Sequence, residues 1–371
     1  MRINKYLYIV CFFLLWSCDN DSPSDTPEDD SLDDISYNPQ AVILDIGNPL
    51  FPILEIPDDN PLTTAGVDLG RHLFFDPILS IDGSTSCASC HLQQSSFTDN
   101  KALSLGVGGL EGKRSSMSLL NVGFNNRGLF WDGRVRTLEE QALLPIEDPV
   151  ELQHQWPDVV DDLIDHDKYP EKFRKAFGIS NKSEITKELA AKAIAQFERT
   201  LISSKESKFD KILMGLDVFT DEERLGYEMF IDFYQGQNPE IPDAQCFHCH
   251  DRPLFTNNDY ENNGLDFHTS NEDFEDKGLG GVTGISGDNG RFRVPTLRNI
   301  EFTAPYMHDG RFETLDEVID HYVSGGLYSP TKSAFLDSIN LNITQKQALK
   351  AFLLTLSDQK FLENPDFSNP F

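Results

Sequence analysis

Cysteine is scarce in this chain: only six of the 371 residues are cysteine, and two of them, Cys11 and Cys18, lie close to the N-terminus. The remaining cysteines form two C-x-x-C pairs: Cys87 with Cys90, and Cys246 with Cys249. Since no further thiol is available, the sequence excludes a framework of disulfides between distant segments. Because these cysteines occur only as closely spaced pairs, the sequence favours attachment of a cofactor.

Basic residues are also few, with 31 lysines and arginines against 61 aspartates and glutamates, for a formal net charge of -30. A nucleic-acid partner is therefore excluded, because the phosphate backbone would be repelled. The charge is compatible with a basic protein partner or simply with a well-solvated surface. With 39% hydrophobic residues, the chain is globular and long enough for two domains.

No apolar run is long enough to cross a membrane: the longest, Tyr6–Trp16, is too short for a spanning helix. Residues 1–17 are predicted to be an export signal. LWSC at 15–18 is typical of a lipobox, in which Cys18 is acylated and anchors the protein to the cell envelope; an ordinary export signal is the alternative. The acidic stretch 18–57 is predicted to be a disordered tether.

Each C-x-x-C pair is followed at once by a histidine, giving CASCH ending at His91 and CFHCH ending at His250. C-x-x-C-H is the attachment signature of haem c, with the histidine as iron ligand. Zinc would need a second ligand pair nearby, and a thioredoxin-like dithiol would need a βαβ context. Neither is found, so the motifs predict two covalently bound haems. His248, inside the second pair, is given no metal role.

The two motifs lie 159 residues apart, which predicts two domains, 58–208 and 209–371, each built around one haem. The fold class is mainly α, with two cytochrome c-like domains. A helix is predicted after Ser183, which could serve as its cap, and it ends in the polar stretch SSKESK, taken as the connection between domains.

The residue opposite each histidine decides whether an iron transfers electrons or has an open face for chemistry. No histidine occurs between His91 and His154, and Met117 is the only methionine there, which favours an open first site. In the second domain, a helix capped by Thr314 carries Tyr322 on its apolar face. Tyr322 is the candidate ligand of the second iron, Met307 is its rival, and a core tyrosine is the structural alternative.

Several stretches resemble the bacterial di-haem cytochrome c peroxidases, including the MauG-type enzymes. The resemblance covers roughly residues 60–360 in order and is carried by LGRHLFFDPILSIDGSTSCASCH (69–91), NVGFNNRGLFWDGR (121–134), QALLPIEDPVEL (141–152), CFHCH (246–250) and RFRVPTLRNIEFTAPYMHDGRFETLDEVIDHY (291–322).

The resemblance implies roles for three residues. Trp131 resembles the tryptophan that carries electrons between the two haems. Gln141 and Glu151 match the glutamine and the catalytic glutamate of the peroxide pocket, and a carboxylate can move a proton between the two peroxide oxygens. Without the resemblance to this family, Glu151 would be interpreted as a surface charge.

Two departures from the family's pattern bear on function. The loop SLGVGGLEGKRSSMS lacks the removable distal histidine of many members, which implies a first haem that needs no reductive opening. Tyr322 stands fourteen residues after His308, where peroxidases have methionine and MauG-type enzymes have tyrosine. A tyrosinate ligand should lower the reduction potential of the second haem.

The family also implies a calcium ion between the domains, with backbone carbonyls of Thr303 and Pro305 as ligands. Ser115 stands where the family has an asparagine ligand, which weakens the match.

The resemblance implies an enzyme that reduces hydrogen peroxide at the haem held by His91, with electrons from a small cytochrome c or a cupredoxin through the haem held by His250. A homodimer is a further expectation. Two alternatives stay open: a MauG-type enzyme that uses peroxide to oxidise a protein substrate, and a di-haem electron carrier without catalysis.

Overall fold

The computed structural model describes residues 30–235, 237–238 and 240–371. The fold is mainly helical, as predicted. The described helices are α1 (Thr64–Phe75), α2 (Cys87–Cys90), α3 (Leu138–Glu147), α4 (Trp156–Asp165), α5 (Tyr169–Phe177), α6 (Lys187–Glu198), α7 (Lys208–Leu213), α8 (Asp221–Phe230), α9 (Leu279–Thr283), α10 (Leu315–Ser324), α11 (Ile343–Leu354) and α12 (Gln359–Glu363). Strands β1 (Tyr260–Glu261) and β2 (Phe292–Arg293) pair antiparallel, with Tyr260 opposite Arg293.

The helix predicted around Tyr322 is confirmed as α10. Thr314 is its N-cap, and Glu317 completes a capping box by accepting from the backbone N–H of Thr314 at 2.9 Å. Gly325, at φ 80°, ends the helix in a left-handed conformation that glycine adopts without strain.

The predicted cap of α6 is wrong. Ser183 lies in a short 3₁₀ turn, Lys182–Glu184, and its hydroxyl donates to Asp30 at 2.8 Å. The helix starts only at Lys187, where the Thr186 side chain accepts from the N–H of Leu189. Both residues can cap a helix, and the deciding contact with Asp30 lies 153 residues away, so local sequence could not reveal it.

Each half of the chain contains a pair of helices that approach closely at a glycine. In the first half, a Cβ on Gly70 of α1 would collide with the Ala193 carbonyl of α6. In the second, a Cβ on Gly226 of α8 would collide with the Ala348 carbonyl of α11. Backbones this close leave no room for a side chain. The same packing device therefore organises both halves.

The hydrophobic core follows this division. One cluster, which includes Leu69 and Phe173, is enclosed by α1 and α3–α6, and another, around Phe230 and Phe352, lies among α7, α8, α10 and α11. A third cluster connects the first half with the C-terminal end of the chain, where the Phe361 ring lies 5.8 Å from the Phe97 ring. The predicted domain limits stay a prediction, but residues 359–371 pack against the first half.

The part of the predicted tether that the structure describes, residues 30–57, is not free. Leu32, Phe51 and Leu54 are buried, and the Leu32 N–H donates to the Ser180 carbonyl at 2.7 Å. The prediction of disorder gave too much weight to acidic composition, since these apolar side chains stabilise packing on the body. Cys11, Cys18 and the predicted export signal lie outside the described residues. Within the described part of the chain, no helix has the length and apolar character needed to cross a membrane.

Candidate functional site

The first C-x-x-C-H motif forms the short helix α2 and the residue after it. His91 Nδ1 lies 2.8 Å from the Phe97 carbonyl oxygen. Because a carbonyl can only accept, Nδ1 carries the proton and Nε2 keeps its lone pair. Burial lowers the pKa of His91, which favours the neutral ring. The imidazole is thus oriented and prepared to bind a metal through Nε2.

The second motif is organised in the same way. His250 Nδ1 donates to the Phe255 carbonyl at 3.1 Å, and burial lowers the pKa of His250 to about 4. Phe97 and Phe255 are fully buried and have positive φ angles of 61° and 55°. A left-handed phenylalanine is uncommon, so its occurrence after both motifs indicates one device, used twice, to orient the histidine.

The two cysteine pairs have neither the setting of a zinc site nor that of a redox dithiol. Among the described residues, no group of three or more His, Cys, Asp or Glu side chains is arranged to hold a metal ion. Burial raises the pKa of Cys90 to about 11 and of Cys249 to about 12, whereas reactive thiols have lowered pKa values. His248 stacks on the exposed Phe335 ring at 4.7 Å and lies 3.8 Å from Asp243.

A loop connects the first motif to Glu151. The Cys90 thiol lies 3.7 Å from the Leu105 carbonyl. Two residues on, the Val107 N–H donates to the Glu151 carbonyl at 2.8 Å. Between them, a Cβ on Gly106 would collide with the backbone of Glu151. Glycine at this position therefore allows the loop to hold Glu151 next to the first C-x-x-C-H motif.

The electrostatic setting of Glu151 suits proton transfer. Burial, assisted by Asp148, raises the pKa of Glu151 to about 7, and Arg134 acts in the opposite direction. The Gln141 side-chain oxygen is buried and has no hydrogen-bond partner among the described residues. An unsatisfied buried oxygen is costly unless a ligand or water binds it. Glu151 thus provides a carboxyl group that titrates near neutral pH, and Gln141 provides a buried amide oxygen that has no hydrogen-bond partner among the described residues.

The segments that follow the two motifs repeat one another. Trp131 and His308 precede the same D-G-R sequence, and the capping boxes of α3 and α10 follow at the same distance, 177 residues apart. In this register Tyr322 of α10 corresponds to Pro145 of α3. Proline offers no ligand atom. The first half thus has no donor at the position that corresponds to the candidate ligand Tyr322 of the second half, and the Met117 backbone hydrogen bonds to His91.

At the second site, the Tyr322 hydroxyl lies near Cys246 and Cys249, and burial raises its pKa to about 12. Met307 is nearby. The Asn263 amide donates to the Met307 thioether at 3.2 Å and lies 3.5 Å from the Tyr322 hydroxyl. His321, by contrast, donates to the Asn263 carbonyl at 2.8 Å. Tyr322 and Met307 thus remain the candidate donors.

Trp131 lies between the two halves. Its indole N–H donates to the Ser115 carbonyl at 2.9 Å, and its ring meets His308 edge-on at 6.4 Å. Trp131 lines a cavity of about 90 Å³ to which both halves contribute. The electron route between two haems through Trp131 stays a prediction.

The three residues predicted to bind calcium, Ser115, Thr303 and Pro305, line this same cavity. The structure therefore brings them together. The Ser115 hydroxyl, however, donates to the Met307 carbonyl at 2.9 Å, and the described lining residues include no carboxylate. Calcium prefers several oxygen ligands with negative charge. The calcium site stays a prediction.

Comparison with known proteins gives a consistent result. A model of the di-haem cytochrome c peroxidase family matches residues 64–217. The methylamine utilization protein MauG of Methylorubrum extorquens is 34% identical over 300 residues, covering 81% of this chain and 80% of that protein. The cytochrome c551 peroxidase of Nitrosomonas europaea is 34% identical over 335 residues and covers 89% of each chain. The chain belongs to the di-haem cytochrome c peroxidase family.

A solved structure extends the likeness. A MauG-like protein associated with microbial copper homeostasis is 33% identical, with a TM-score of 0.76, and the match covers 87% of this chain and 97% of that one. The family implies two haem c groups. The residues present fit them: each motif has two unbridged thiols and a histidine with Nε2 available, and the Gln141 side-chain oxygen is buried and unpaired among the described residues.

Sequence reasoning missed several features of this peroxidase-family site. These are Phe97 and Phe255, which orient the two histidines, Pro145 at the position that corresponds to Tyr322, and Arg134, the cation that lowers the pKa of Glu151. An alignment of the two halves could have found Phe97 and Phe255, because the similar sequences FTDN (97–100) and FTNN (255–258) follow the two motifs. Nothing in the sequence pattern relates Arg134 to Glu151, since that pairing depends on how the chain folds back after α3.

Proposed function

We propose that this chain is a di-haem peroxidase that reduces hydrogen peroxide to water with electrons from a small redox protein. One observation carries the proposal. Glu151, with a pKa near 7, has its backbone carbonyl hydrogen-bonded to the loop that contacts Cys90, and Pro145, which offers no ligand atom, stands at the position that corresponds to Tyr322. A group that titrates near neutral pH can both accept and donate a proton.

The haem bound at Cys87 and Cys90 supplies the redox centre for the reaction. The protein's contribution is acid–base chemistry and orientation. Ionised Glu151 takes the proton from one oxygen of the peroxide and returns it to the other, which then leaves as water. Gln141 orients the peroxide through its unpaired amide oxygen, and His91, fixed by the Phe97 carbonyl, holds the cofactor in position. Two electrons and two protons per peroxide complete the reduction to two waters.

On the electron-donating side, His250 and Tyr322 would hold the second haem, and Trp131 lies between the two halves. The family supports peroxide as substrate and a cytochrome as donor. A cupredoxin donor, a homodimer and interdomain calcium belong to the proposal as well. So does export to the cell envelope, with a lipid anchor on Cys18; a Cys18→Ala variant that still partitions with membranes would contradict that anchor.

Steady-state turnover tests the activity. The haem-loaded protein is mixed with reduced cytochrome c and peroxide, starting once from the oxidised and once from the partly reduced enzyme. We expect turnover from both starting states, because the loop after the first motif has no histidine and the position that corresponds to Tyr322 is Pro145, which offers no ligand atom. An absence of turnover from both would contradict the peroxidase proposal. A high-spin ferric signal at rest that disappears with cyanide would exclude the carrier without catalysis.

A second candidate function is peroxide-driven oxidation of a protein substrate. It is favoured by Tyr322, which stands where peroxidase members have methionine, and by the relatives named MauG. Weak turnover with every small donor, together with formation of a long-lived oxidised state after peroxide alone, would favour this alternative.

A further inference from the structure

Arg293 is a buried cation next to the tryptophan between the two halves. It lies on β2 with 5% of its surface exposed, and its backbone N–H donates to the Trp131 carbonyl at 2.8 Å. Its side chain lines the same cavity as Trp131. The side chain therefore lies at the junction of the halves and away from bulk solvent.

The guanidinium of Arg293 has no carboxylate partner among the described residues. Its hydrogen bond goes to the Asn258 amide oxygen at 2.8 Å, and its Nε is buried with no partner. Arg298, which lines the same cavity, is different. It forms two hydrogen bonds to Asp210, at 2.8 and 2.9 Å, and donates from Nε to the Pro253 carbonyl. The fold thus neutralises one buried arginine and not the other.

A buried charge is costly unless an opposite charge pairs with it. Burial lowers the pKa of Arg293 only to about 10, so the side chain is still protonated at neutral pH. Since the described lining residues of the cavity include no Asp or Glu, the compensating anion must come from a ligand. A planar carboxylate matches the guanidinium fork best.

The neighbours of Arg293 indicate which ligand. The next residue, Val294, accepts from the Thr256 hydroxyl at 2.6 Å, and the Pro295 backbone hydrogen bonds to His250. The chain directly after β2 therefore contacts His250 of the second C-x-x-C-H motif. The propionate carboxylates of a haem attached there would supply the anion that Arg293 lacks at the junction between the halves.

We propose that Arg293 binds a propionate of the haem attached at Cys246 and Cys249, inside the cavity beside Trp131. The inference depends on the proposed haem attachment but not on peroxidase turnover. Its role is to position that haem edge against Trp131, and to keep the propionate ionised in a buried place. Arg298, already neutralised by Asp210, is not available for it.

Isotope-edited infrared spectroscopy tests the contact directly. Cells are grown on 5-aminolevulinate labelled with carbon-13 at its carboxyl carbon, which labels the haem propionates alone. Redox difference spectra are then compared for the wild type, Arg293→Lys and Arg293→Met. We expect the labelled carboxylate band to shift in Arg293→Met and to stay near its wild-type position in Arg293→Lys. Arg136→Met, which removes an exposed cation, should leave it unchanged.

The midpoint potential of the second haem gives a second readout. Removing Arg293 leaves the negative propionate uncompensated, which favours the oxidised iron, so the potential falls in Arg293→Met but not in Arg136→Met. Labelled bands at the same position in all haem-loaded variants, or a potential change confined to the first haem, would overturn the proposal.

If Arg293→Met fails to load haem, the wild-type protein still provides a test of the contact. An experimental structure of the haem-loaded chain should have a propionate oxygen within hydrogen-bond distance of Arg293 Nε or Nη. Finding chloride, phosphate or only water at the guanidinium would contradict the inference. Absence of peroxide turnover would contradict the proposed function, but it would not affect the infrared, potential or structural measurements that test Arg293.

Discussion

At the scale of single residues, burial alone does not select the proposed catalytic carboxyl. Glu198 is also buried, and burial raises its pKa to about 8. It lies at the end of α6, whereas Glu151 lies against the loop that contacts Cys90. Both carboxyls act on the Cys87 thiol, so what distinguishes Glu151 is its hydrogen bond to the loop that contacts Cys90.

Replacing Glu151 with glutamine should remove proton transfer and preserve the shape of the pocket. We expect kcat/KM for peroxide to fall by about 10²–10⁴-fold, the usual contribution of a general acid–base group, at unchanged haem content. Glu147→Gln, which removes an exposed carboxyl at the end of α3, is the matched control. Equal activity of the two variants would exclude Glu151 as the base.

The pH dependence follows from the direction of the pKa shift. Because burial raises the pKa of Glu151 to about 7, the side chain is protonated below that pH and ionised above it. Only the ionised form can accept a proton, so kcat/KM should rise as the pH increases through about 7. Arg134 lowers this pKa, so Arg134→Met should move the rise to higher pH. Arg136→Met serves as control, and an identical profile in all three proteins would refute the pairing.

Tyr322 can be tested by spectroscopy without turnover. Tyr322→Phe removes the hydroxyl, and Tyr322→Met installs the ligand that peroxidase members have. We expect both variants to change the optical and electron paramagnetic resonance signals of the second haem. We also expect Tyr322→Met to raise its midpoint potential, because a thioether favours the reduced iron. Unchanged signals in both variants would leave Met307 as the remaining candidate.

At the scale of helices and loops, the two halves use the same devices: helices crossing at a glycine, a left-handed phenylalanine that orients a histidine, and a capping box after D-G-R. The sequence predicted α10 and the apolar position of Tyr322, because a cap and a 3.6-residue period are local signals. It misplaced the cap of α6, since the contact of Ser183 with Asp30 is not local. The position of Glu151 depends on the close approach of its backbone to Gly106, which no periodicity encodes.

The glycine crossings predict a large difference between two similar substitutions. In Gly226→Ala the new Cβ would collide with the Ala348 carbonyl, and backbone cannot move aside cheaply. We expect a loss of about 2 kcal/mol or more, seen as a melting temperature lower by roughly 5 °C. In Gly281→Ala the nearest atom would be the Lys277 Cβ at 3.8 Å, so stability should not fall. Equal melting temperatures would show that α8 and α11 can separate.

At the scale of the whole molecule, sequence reasoning recognised two haem motifs but not how the halves join. Phe361, in helix α12 near the C-terminal end, packs on Phe97 of the first half, and Leu32 packs in the core of the same half. The cavity beside Trp131 takes residues from both halves. Such contacts depend on the relative placement of segments hundreds of residues apart, so composition and periodicity cannot predict them.

The net charge of -30 acts on the whole molecule and predicts how the electron donor is recognised. Long-range attraction speeds association with a basic partner and is screened by salt, with a Debye length of about 10 Å at 0.1 M. With a basic cytochrome c as donor, kcat/KM for the donor should therefore fall as ionic strength rises. With an acidic cytochrome c it should rise, because repulsion is screened.

Hydroquinone, an uncharged reductant, is the control for direct effects of salt on the enzyme, and its turnover should stay constant over the same range. If the basic cytochrome gave the same salt dependence as hydroquinone, the acidic surface would have no part in docking. The charge would then serve only solubility, and the donor would be recognised by local apolar contacts, which salt does not weaken.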